Sequence, residues 1–184
     1  PNNWNDIRMW GHYGGNEGFS IMFDYDKIPF NKNVVGPFPM NYQSEILSNE
    51  FFNENQINKH YQLYYLLTLK YNVWEYENEF RFYFNKDEIM KYKNSPEESK
   101  SRLFSYPDEA ILEINLGSGF IYNCDSVDVK NKNILVKTND KKRTLILNKI
   151  SSVKIKTFLM YPDARTMNFK LDRFEVEVNK IEEN

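Results

Sequence analysis

The sequence predicts an α+β fold, with a small mixed or antiparallel sheet and few helices in the first half and a β-rich second half. Residues 55–71 contain no glycine or proline, and their apolar residues recur at helical spacing. Short runs in the second half are bounded by turn residues, as strands are. With 41% hydrophobic residues in a chain of 184, we expect one domain over residues 1–184. Within it we distinguish a motif-bearing part (1–92), a charged loop (93–109) and a β-rich part (110–184).

A short helix and a strand are predicted at the start of the chain. Asp6 can cap a helix that runs to about Tyr13, where two glycines end it with the positive backbone angles that glycine tolerates. Arg8 and His12 then stand one turn apart. Alternation of apolar and polar side chains predicts a half-buried strand at residues 19–24.

The rest of the first half is predicted from prolines and apolar spacing. Three prolines indicate a loop over residues 29–39, followed by a short strand at 40–43. Leucines widen the apolar surface of the helix at 55–71, so we expect it to be well buried. A strand at 77–84, a helical turn at 87–92 and a charged surface loop from 93 to 108 follow.

The second half is predicted to consist of strands. Residues 133–138 and 143–147 read as the arms of a hairpin around Asn139-Asp140, and the basic run at 141–143 as a solvated turn. Further short strands are expected at residues 110–116, 120–122, 126–130, 152–159 and 173–178.

The predicted strand at 77–84 carries the most informative pattern. Because side chains alternate across a strand, Glu77, Glu79, Arg81 and Tyr83 would share one face, and phenylalanines the other. A core explains the apolar face but not the acidic one. A solvated charge ladder, with pairs worth under about 1 kcal/mol, is the structural alternative.

Composition narrows the classes of function. A net charge of −2 offers no attraction to a phosphate backbone, so we do not expect nucleic-acid binding. The single Cys124 excludes an internal disulfide framework, and two histidines with one cysteine give no zinc site. No run approaches the roughly 20 apolar residues that cross a bilayer, and no signal peptide is visible, so we expect a cytoplasmic protein without membrane partners. Because the chain begins at Pro1 without a methionine, we expect an upstream segment.

Three separated motifs in the first 85 residues resemble a bacterial family catalogued as domain of unknown function 2971. They are Met9-Trp10-Gly11-His12-Tyr13-Gly14 with Gly18-Phe19, then Phe23-Asp24, and then Lys70, Trp74 and Tyr76-Glu77-Asn78-Glu79-Phe80-Arg81. The chain departs from the family in having Glu17 where a histidine is usual and Ser20 where a cysteine is frequent. The family has no settled activity, so the resemblance supplies a grouping and a set of candidate residues.

The order of elements is also similar to that of ADP-ribosyltransferases, which run from a short helix into a strand and later to a strand opening with Glu-x-Glu. This likeness implies NAD as a substrate rather than a bound cofactor. It implies that Glu79 is the catalytic carboxylate that stabilises an oxocarbenium-like state, with Glu77 orienting the acceptor. The ligand-binding candidates are Arg8, Trp10, His12, Tyr13, Lys70, Trp74 and Arg81.

The roles within that set follow the chemistry of NAD. Tyr13 or Trp10 would stack on nicotinamide, while Arg8, His12 and Arg81 would hold ribose or pyrophosphate through charge-assisted hydrogen bonds. This requires the side chains of His12 and Glu79 to face a common cavity. An enzyme of this kind would act in a toxin, defence or signalling system.

Two other classes of function stay open. A non-enzymatic module would bind a ligand through the first half and a protein partner through strand edges of the β-rich half. A metal-dependent nuclease would bind magnesium through Asp24, Glu77 and Glu79, with Arg81 in place of the usual lysine.

Overall fold

The computed structural model of the protein describes residues 3–28, 34–55, 57–84, 106–122, 126–130, 133–137, 140–162 and 170–178. The chain divides into two compact units. We call Phe30–Phe104 the middle unit, and Asn2–Pro29 with Ser105–Asn184 the sheet unit. Both helices and strands are present, so the α+β class is confirmed. The single-domain assignment stays a prediction.

The helices and strands have the following bounds. The helices are α1 (Ile7–Met9), α2 (Asn49–Glu54), α3 (Lys59–Thr68), α4 (Ser118–Tyr122) and α5 (Lys141–Val153), and a π-helical turn at Trp10–Gly14 continues α1. The strands are β1 (Phe19–Phe23), β2 (Val34–Pro39), β3 (Asn41–Gln43), β4 (Leu69–Tyr71), β5 (Phe80–Phe84), β6 (Ile111–Leu116), β7 (Ser126–Lys130), β8 (Asn133–Lys137), β9 (Lys156–Pro162) and β10 (Leu171–Val178).

A six-stranded sheet in the order β1-β6-β9-β10-β8-β7 organises the sheet unit. β6 pairs antiparallel with β1 and parallel with β9, and β10 pairs antiparallel with β9 and parallel with β8. β7 and β8 are antiparallel neighbours. The register places Ile21 opposite Ile114, and Ser20 opposite Asn115. Ile21 and Ile114 therefore share one face of the sheet, and Ser20 and Asn115 share the other.

One face of this sheet packs against helices. Leu147 and Ile150 of α5 and Phe120 of α4 are buried in a cluster with apolar residues of the sheet. The sheet residues of this cluster are Ile114, Leu116, Leu159 and Val176. Burial of these side chains, each worth about 1.5–3 kcal/mol, holds α5 on the sheet.

The start of the chain belongs to a second cluster in the same unit. Trp10 packs with Met160 and Leu171, and Trp4 and Ile7 pack against them. The Leu171 N–H donates to the Asn5 carbonyl at 2.7 Å. The predicted helix is confirmed, with Asp6 as its N-cap and Gly15 in the left-handed conformation after it.

In the described residues of the middle unit, two strand pairs and two helices are present. β2 pairs antiparallel with β5, and β3 pairs parallel with β4. The Tyr65 hydroxyl of α3 donates to Gln43 Oε1 at 2.9 Å, and the Tyr64 ring packs against Phe38 with their centroids 5.1 Å apart. These contacts place α3 against β2 and β3.

The predicted strands at 19–24, 110–116, 126–130 and 173–178 are confirmed within a residue or two by β1, β6, β7 and β10. The short strand near 40–43 is confirmed by β3, and the predicted strand at 152–159 begins later, as β9. The loop predicted over 29–39 was wrong for its last six residues, because β2 accommodates Pro37 and Pro39. The predicted turn at 87–92 and the charged loop to residue 105 lie outside the described residues.

The predicted hairpin at 133–147 was wrong in its second arm. β8 pairs with the preceding β7, and residues 141–153 form α5 instead of a strand and a turn. The Asp140 side chain accepts from the N–H groups of Lys142 and Arg143, which is the pattern of an N-cap. The strand predicted at 120–122 was also wrong, since these residues belong to α4. The periodicity of a short apolar run is compatible with either a strand or a helix. For residues 141–153 the N-cap at Asp140 favours the helix.

The expectation that the helix at 55–71 is well buried was wrong. Among the described residues of this range, helix is confined to Lys59–Thr68, and the chain continues directly into β4. The apolar residues surround α3 instead of forming one stripe. Tyr65 and Thr68 face the unit, whereas Leu63 and Leu66 are 55% and 51% exposed.

Gly117 lies where the backbone of the loop before β1 approaches closely. Its N–H donates to the Gly18 carbonyl at 2.9 Å, and a Cβ on residue 117 would overlap the Asn16 carbonyl oxygen. We expect Gly117→Ala to lower the free energy of unfolding by roughly 1–3 kcal/mol, because the backbone must shift to admit the methyl group.

Gly11→Ala is the matched control, since no atom lies within 4 Å of a Cβ built there. It should leave the free energy of unfolding unchanged or raise it by roughly 0.5–1 kcal/mol. Urea denaturation of both variants measures the difference. Equal effects would contradict the close approach at residue 117.

Candidate functional site

Lys70 lies at the centre of a charged cluster in the middle unit. Its Nζ donates to the Glu77 carboxylate and to Glu79 Oε2, the latter at 2.6 Å. Arg81 Nε donates to Glu79 Oε1 at 2.5 Å, and its Nη2 donates to Oε2 at 3.2 Å. We call Lys70, Glu77, Glu79 and Arg81 the Lys70 cluster. It holds two cations and two anions, so its charges balance.

The backbone brings the two carboxylates to Lys70 without a continuous strand. Asn72–Glu77 is a 3-10 helix, and Asn78 follows it in the left-handed conformation, with φ of 46°. Asparagine adopts that conformation more readily than most residues do. β5 starts only at Phe80, so Glu77 and Glu79 reach the Lys70 ammonium from a helical turn and from the approach to a strand.

The predicted strand at 77–84 was therefore wrong at its beginning. Glu77 does not share a strand face with Arg81, because the chain turns at Asn78. The two carboxylates nevertheless both bind Lys70. They do so because the chain turns at Asn78, and not because side chains alternate along a strand. The solvated-ladder alternative fails for Glu77, whose side chain is only 3% exposed.

β3 holds the backbone of Glu79 in place. The Glu79 N–H donates to the Tyr42 hydroxyl at 2.8 Å, and the Met40 N–H donates to the Glu79 carbonyl at 3.0 Å. Tyr42 lies opposite Lys70 in the β3–β4 pair. The same strand pair therefore fixes both the lysine and the carboxylate that it binds.

Burial decreases across the Lys70 cluster. Glu77 is buried and Lys70 nearly so, whereas the Glu79 side chain is 28% exposed and the Arg81 side chain 37%. The Trp74 ring lies 5.7 Å from Lys70 Nζ, within cation–π range. The cluster therefore contacts solvent mainly at Glu79 and Arg81, whereas Glu77 is shielded from it.

The charges keep Glu79 ionised. Partial burial acts to raise its pKa, but the hydrogen bonds from Arg81 and Lys70 outweigh this, and the pKa lies below its ordinary 4.5. Burial acts to lower the pKa of Lys70, and hydrogen bonds to Glu77 and Glu79 raise it above 10.5. The hydrogen bond to Glu79 raises the pKa of Arg81. All three groups carry full charge at neutral pH.

The other predicted site residues belong to the sheet unit. Arg8 holds Asp6 through two hydrogen bonds, at 3.0 Å from Nε and 2.6 Å from Nη2. Trp10 is buried, and its Nε1–H donates to the Trp4 carbonyl at 2.7 Å. His12 and Tyr13 are exposed. The common cavity for His12 and Glu79 stays a prediction, as does a ligand-binding role for these four residues.

Sequence reasoning missed Tyr42, which fixes the Glu79 backbone, because nothing near residue 42 marks it as part of a site. It also missed a polar group in the sheet unit, formed by the buried Glu113 and Asn115 with the partly exposed Arg173. The alternation Glu113-Ile114-Asn115 places two polar side chains on one strand face. That pattern is also typical of a half-exposed strand, so the sequence gives no reason to expect their burial.

One family comparison bears on these residues. Residues 9–82 match the family model described as Protein of unknown function (DUF2971). The resemblance predicted from the motifs is confirmed over that range, which includes every candidate site residue except Arg8. No curated protein and no solved structure gives a significant match to the chain.

Within the described ranges, no group of three or more histidine, cysteine, aspartate or glutamate side chains is placed to hold a metal ion. None of the helices in the described part of the chain has both the length and the apolar character that crossing a bilayer requires.

Removing the Lys70 charge should destabilise the protein. Lys70→Met removes the ammonium that binds the buried Glu77 carboxylate, so we expect the free energy of unfolding to fall by roughly 3–5 kcal/mol. Lys149→Met breaks an exposed pair with Asp108 and should cost less than about 1 kcal/mol. Urea denaturation compares the two, and similar losses would contradict a buried Lys70–Glu77 pair.

Stability in acid should depend on Glu79. Because its pKa is lowered in the folded state, its contribution is present above the ordinary pKa of 4.5 and is lost as the pH falls through the folded-state value. Glu79→Gln should therefore lower stability at pH 7 and flatten the loss of stability below pH about 4.5.

Urea midpoints measured from pH 7 to pH 2.5 test this. Glu75→Gln, at an exposed position of the preceding 3-10 helix, is the control and should retain the acid dependence of the unmodified protein. A curve for Glu79→Gln parallel to that of the unmodified protein would show that Glu79 is not held ionised by its neighbours.

Proposed function

We propose that the protein binds a nucleotide such as NAD and uses Glu79 to transfer or hydrolyse ADP-ribose. The proposal rests on an order of sequence motifs that is similar to that of ADP-ribosyltransferases, and on the Lys70 cluster. The observation that carries it is a carboxylate, Glu79, that is charged, partly exposed and held on both sides by cations. A bacterial toxin, defence or signalling system is the setting that this chemistry suits.

The reaction needs a fixed negative charge beside the ribose. When the bond between the ribose C1′ and the nicotinamide nitrogen breaks, the electron pair leaves with nicotinamide and positive charge develops on the sugar. An ionised carboxylate held next to that charge stabilises the transition state without having to reorganise. Water or an acceptor hydroxyl then bonds to C1′ and loses its proton. The exposed part of Glu79 is the group suited to this role.

The burial of Glu77 suggests a role different from the one expected from the sequence. The Glu77 carboxylate is bound by Lys70 and nearly sealed from solvent, so it is poorly placed to orient an incoming acceptor. In this proposal Glu77 is a positioning residue that fixes the Lys70 ammonium. Lys70 in turn sets the direction of the Glu79 carboxylate.

Arg81 is the group suited to the anionic part of the ligand. It is the most exposed member of the Lys70 cluster, and its guanidinium stays charged at any physiological pH. A pyrophosphate oxygen that binds Arg81 would compete with Glu79 for the same donors. Ligand binding would then release Glu79 from one of its two cations and leave it oriented by Lys70.

The test is release of nicotinamide from NAD by the purified chain. We expect Glu79→Gln to lower the rate by roughly 100-fold or more, because the amide cannot neutralise the developing charge. Glu75→Gln, four residues away and exposed, should react at the unmodified rate. Thermal melting of both variants, with Glu79→Asp as a second carboxylate variant, separates loss of chemistry from loss of fold.

Equal rates for Glu79→Gln and the unmodified protein would overturn the catalytic role of Glu79. Absence of nicotinamide release from the unmodified protein, together with absence of NAD binding by calorimetry, would overturn the proposal as a whole. NAD binding without release would reduce it to a nucleotide-binding module.

A partner-binding module is the second candidate, and the surface of α3 favours it. Tyr61, Leu63 and Leu66 are each more than half exposed on this helix. Exposed apolar groups concentrated on one helix are typical of interaction surfaces. This observation shifts the expected partner surface from the β-rich half to the middle unit. The NAD assay separates the two candidates, because a module of this kind releases no nicotinamide.

A further inference from the structure

A second buried polar group lies on the face of the six-stranded sheet opposite α5. Glu113 and Asn115 stand two residues apart on β6, and Arg173 extends from β10, the next strand but one. Asn115 is 1% exposed and Glu113 8%. This group belongs to the sheet unit, so it is independent of the Lys70 cluster and of the proposed NAD chemistry.

Two aromatic rings hold the plane of the Arg173 guanidinium. The Trp4 ring centroid lies 4.1 Å from Cζ, and the Phe158 ring centroid lies 3.9 Å from it. Both are close stacking distances, at which a planar guanidinium gains cation–π attraction. The guanidinium therefore has little freedom to tilt.

One end of the same guanidinium is anchored. Nη1 donates to Glu113 Oε1 and, at 2.9 Å, to Asn115 Oδ1. The Asn115 amide is itself oriented, since its Nδ2 lies 3.3 Å from Ser20 Oγ. These hydrogen bonds limit rotation of the guanidinium group within its own plane. The two aromatic rings limit its tilt out of that plane.

The remaining edge carries Nε and Nη2, and the described residues offer it no hydrogen-bond acceptor. This is the edge with two parallel N–H groups, which binds both oxygens of a carboxylate at once. Arg8 uses it to hold Asp6, and Arg81 uses it to hold Glu79. The Arg173 side chain is 21% exposed, so part of it contacts solvent.

We propose that the Nε/Nη2 edge of Arg173 binds the carboxylate of a small molecule or peptide. Three features select a carboxylate over a phosphate. A carboxylate is planar, as is the guanidinium that the two rings contact. Its two oxygens match the two parallel N–H groups. Glu113 already balances the Arg173 charge, so a monoanion adds less repulsion than a dianion does.

NMR of the arginine Nε–H signals tests the proposal with sodium acetate as the probe. The signals of Arg173, Arg8 and Arg81 are assigned by through-bond experiments on the unmodified protein and checked with Arg173→Lys. Acetate replaces chloride at constant ionic strength, and inorganic phosphate is titrated in parallel. We expect a saturable shift at Arg173 in roughly the 10–100 mM range, as suits a ligand held at a single bidentate contact.

Arg8 is the internal control, because Asp6 already fills its Nε/Nη2 edge. A shift at Arg173 without one at Arg8 supports the site. Absence of a saturable shift at Arg173, or an equal shift at all three arginines, overturns it. Tighter binding of phosphate than of acetate overturns the choice of a carboxylate. If Arg173→Lys fails to fold, the titration of the unmodified protein still tests the proposed carboxylate site.

Discussion

The buried carboxylate of Glu77 imposes the strongest constraint on the middle unit. A charge removed from water needs a partner of opposite sign, and Lys70 supplies it. The lysine can do so only because the β3–β4 pair brings Tyr42 and Lys70 opposite each other and the left-handed Asn78 turns the chain back. The position of Glu79, and with it the candidate site, follows from this one pair.

This arrangement also explains why the four charged residues differ in what they can do. Glu77 is buried, and its carboxylate holds the Lys70 ammonium in place. Arg81 keeps its access and can exchange one anion for another. Glu79 lies between them, bound on both sides and still reachable. With this gradient of exposure, the buried residues of a site are held rigidly while its outer residues contact solvent.

The elements that the sequence predicts well are those with local and consistent signals. Asp6 caps its helix, and strict alternation places Phe19, Ile21 and Phe23 in β1. The failures come where tertiary contacts decide. Arg143–Leu147 has strand-like composition, but the Asp140 cap and the burial of Leu147 and Ile150 against the sheet make it helical. Pro37 and Pro39 indicate a loop, yet β2 pairs with β5 around them.

For the candidate site, the motif Glu77-Asn78-Glu79 and its neighbours Lys70 and Arg81 could be selected from sequence, because charged residues at short spacing stand out against an aromatic background. The geometry of these residues could not be predicted from sequence, since it depends on Asn78 adopting a positive φ. The arrangement around Arg173 could not be predicted for a different reason. Its side chains come from Trp4, β6, β9 and β10, and only the strand order brings these segments together.

The sheet unit is discontinuous in sequence, because β1 pairs with β6 across the whole of the middle unit. During synthesis, β1 leaves the ribosome long before its partner exists, whereas the described strand pairs of the middle unit form within one stretch of chain. The middle unit is thus the first to complete its pairing. Until translation reaches Ile111–Leu116, Phe19–Phe23 is a nascent strand with an open hydrogen-bonding edge, the condition in which cotranslational chaperones shield a chain from aggregation.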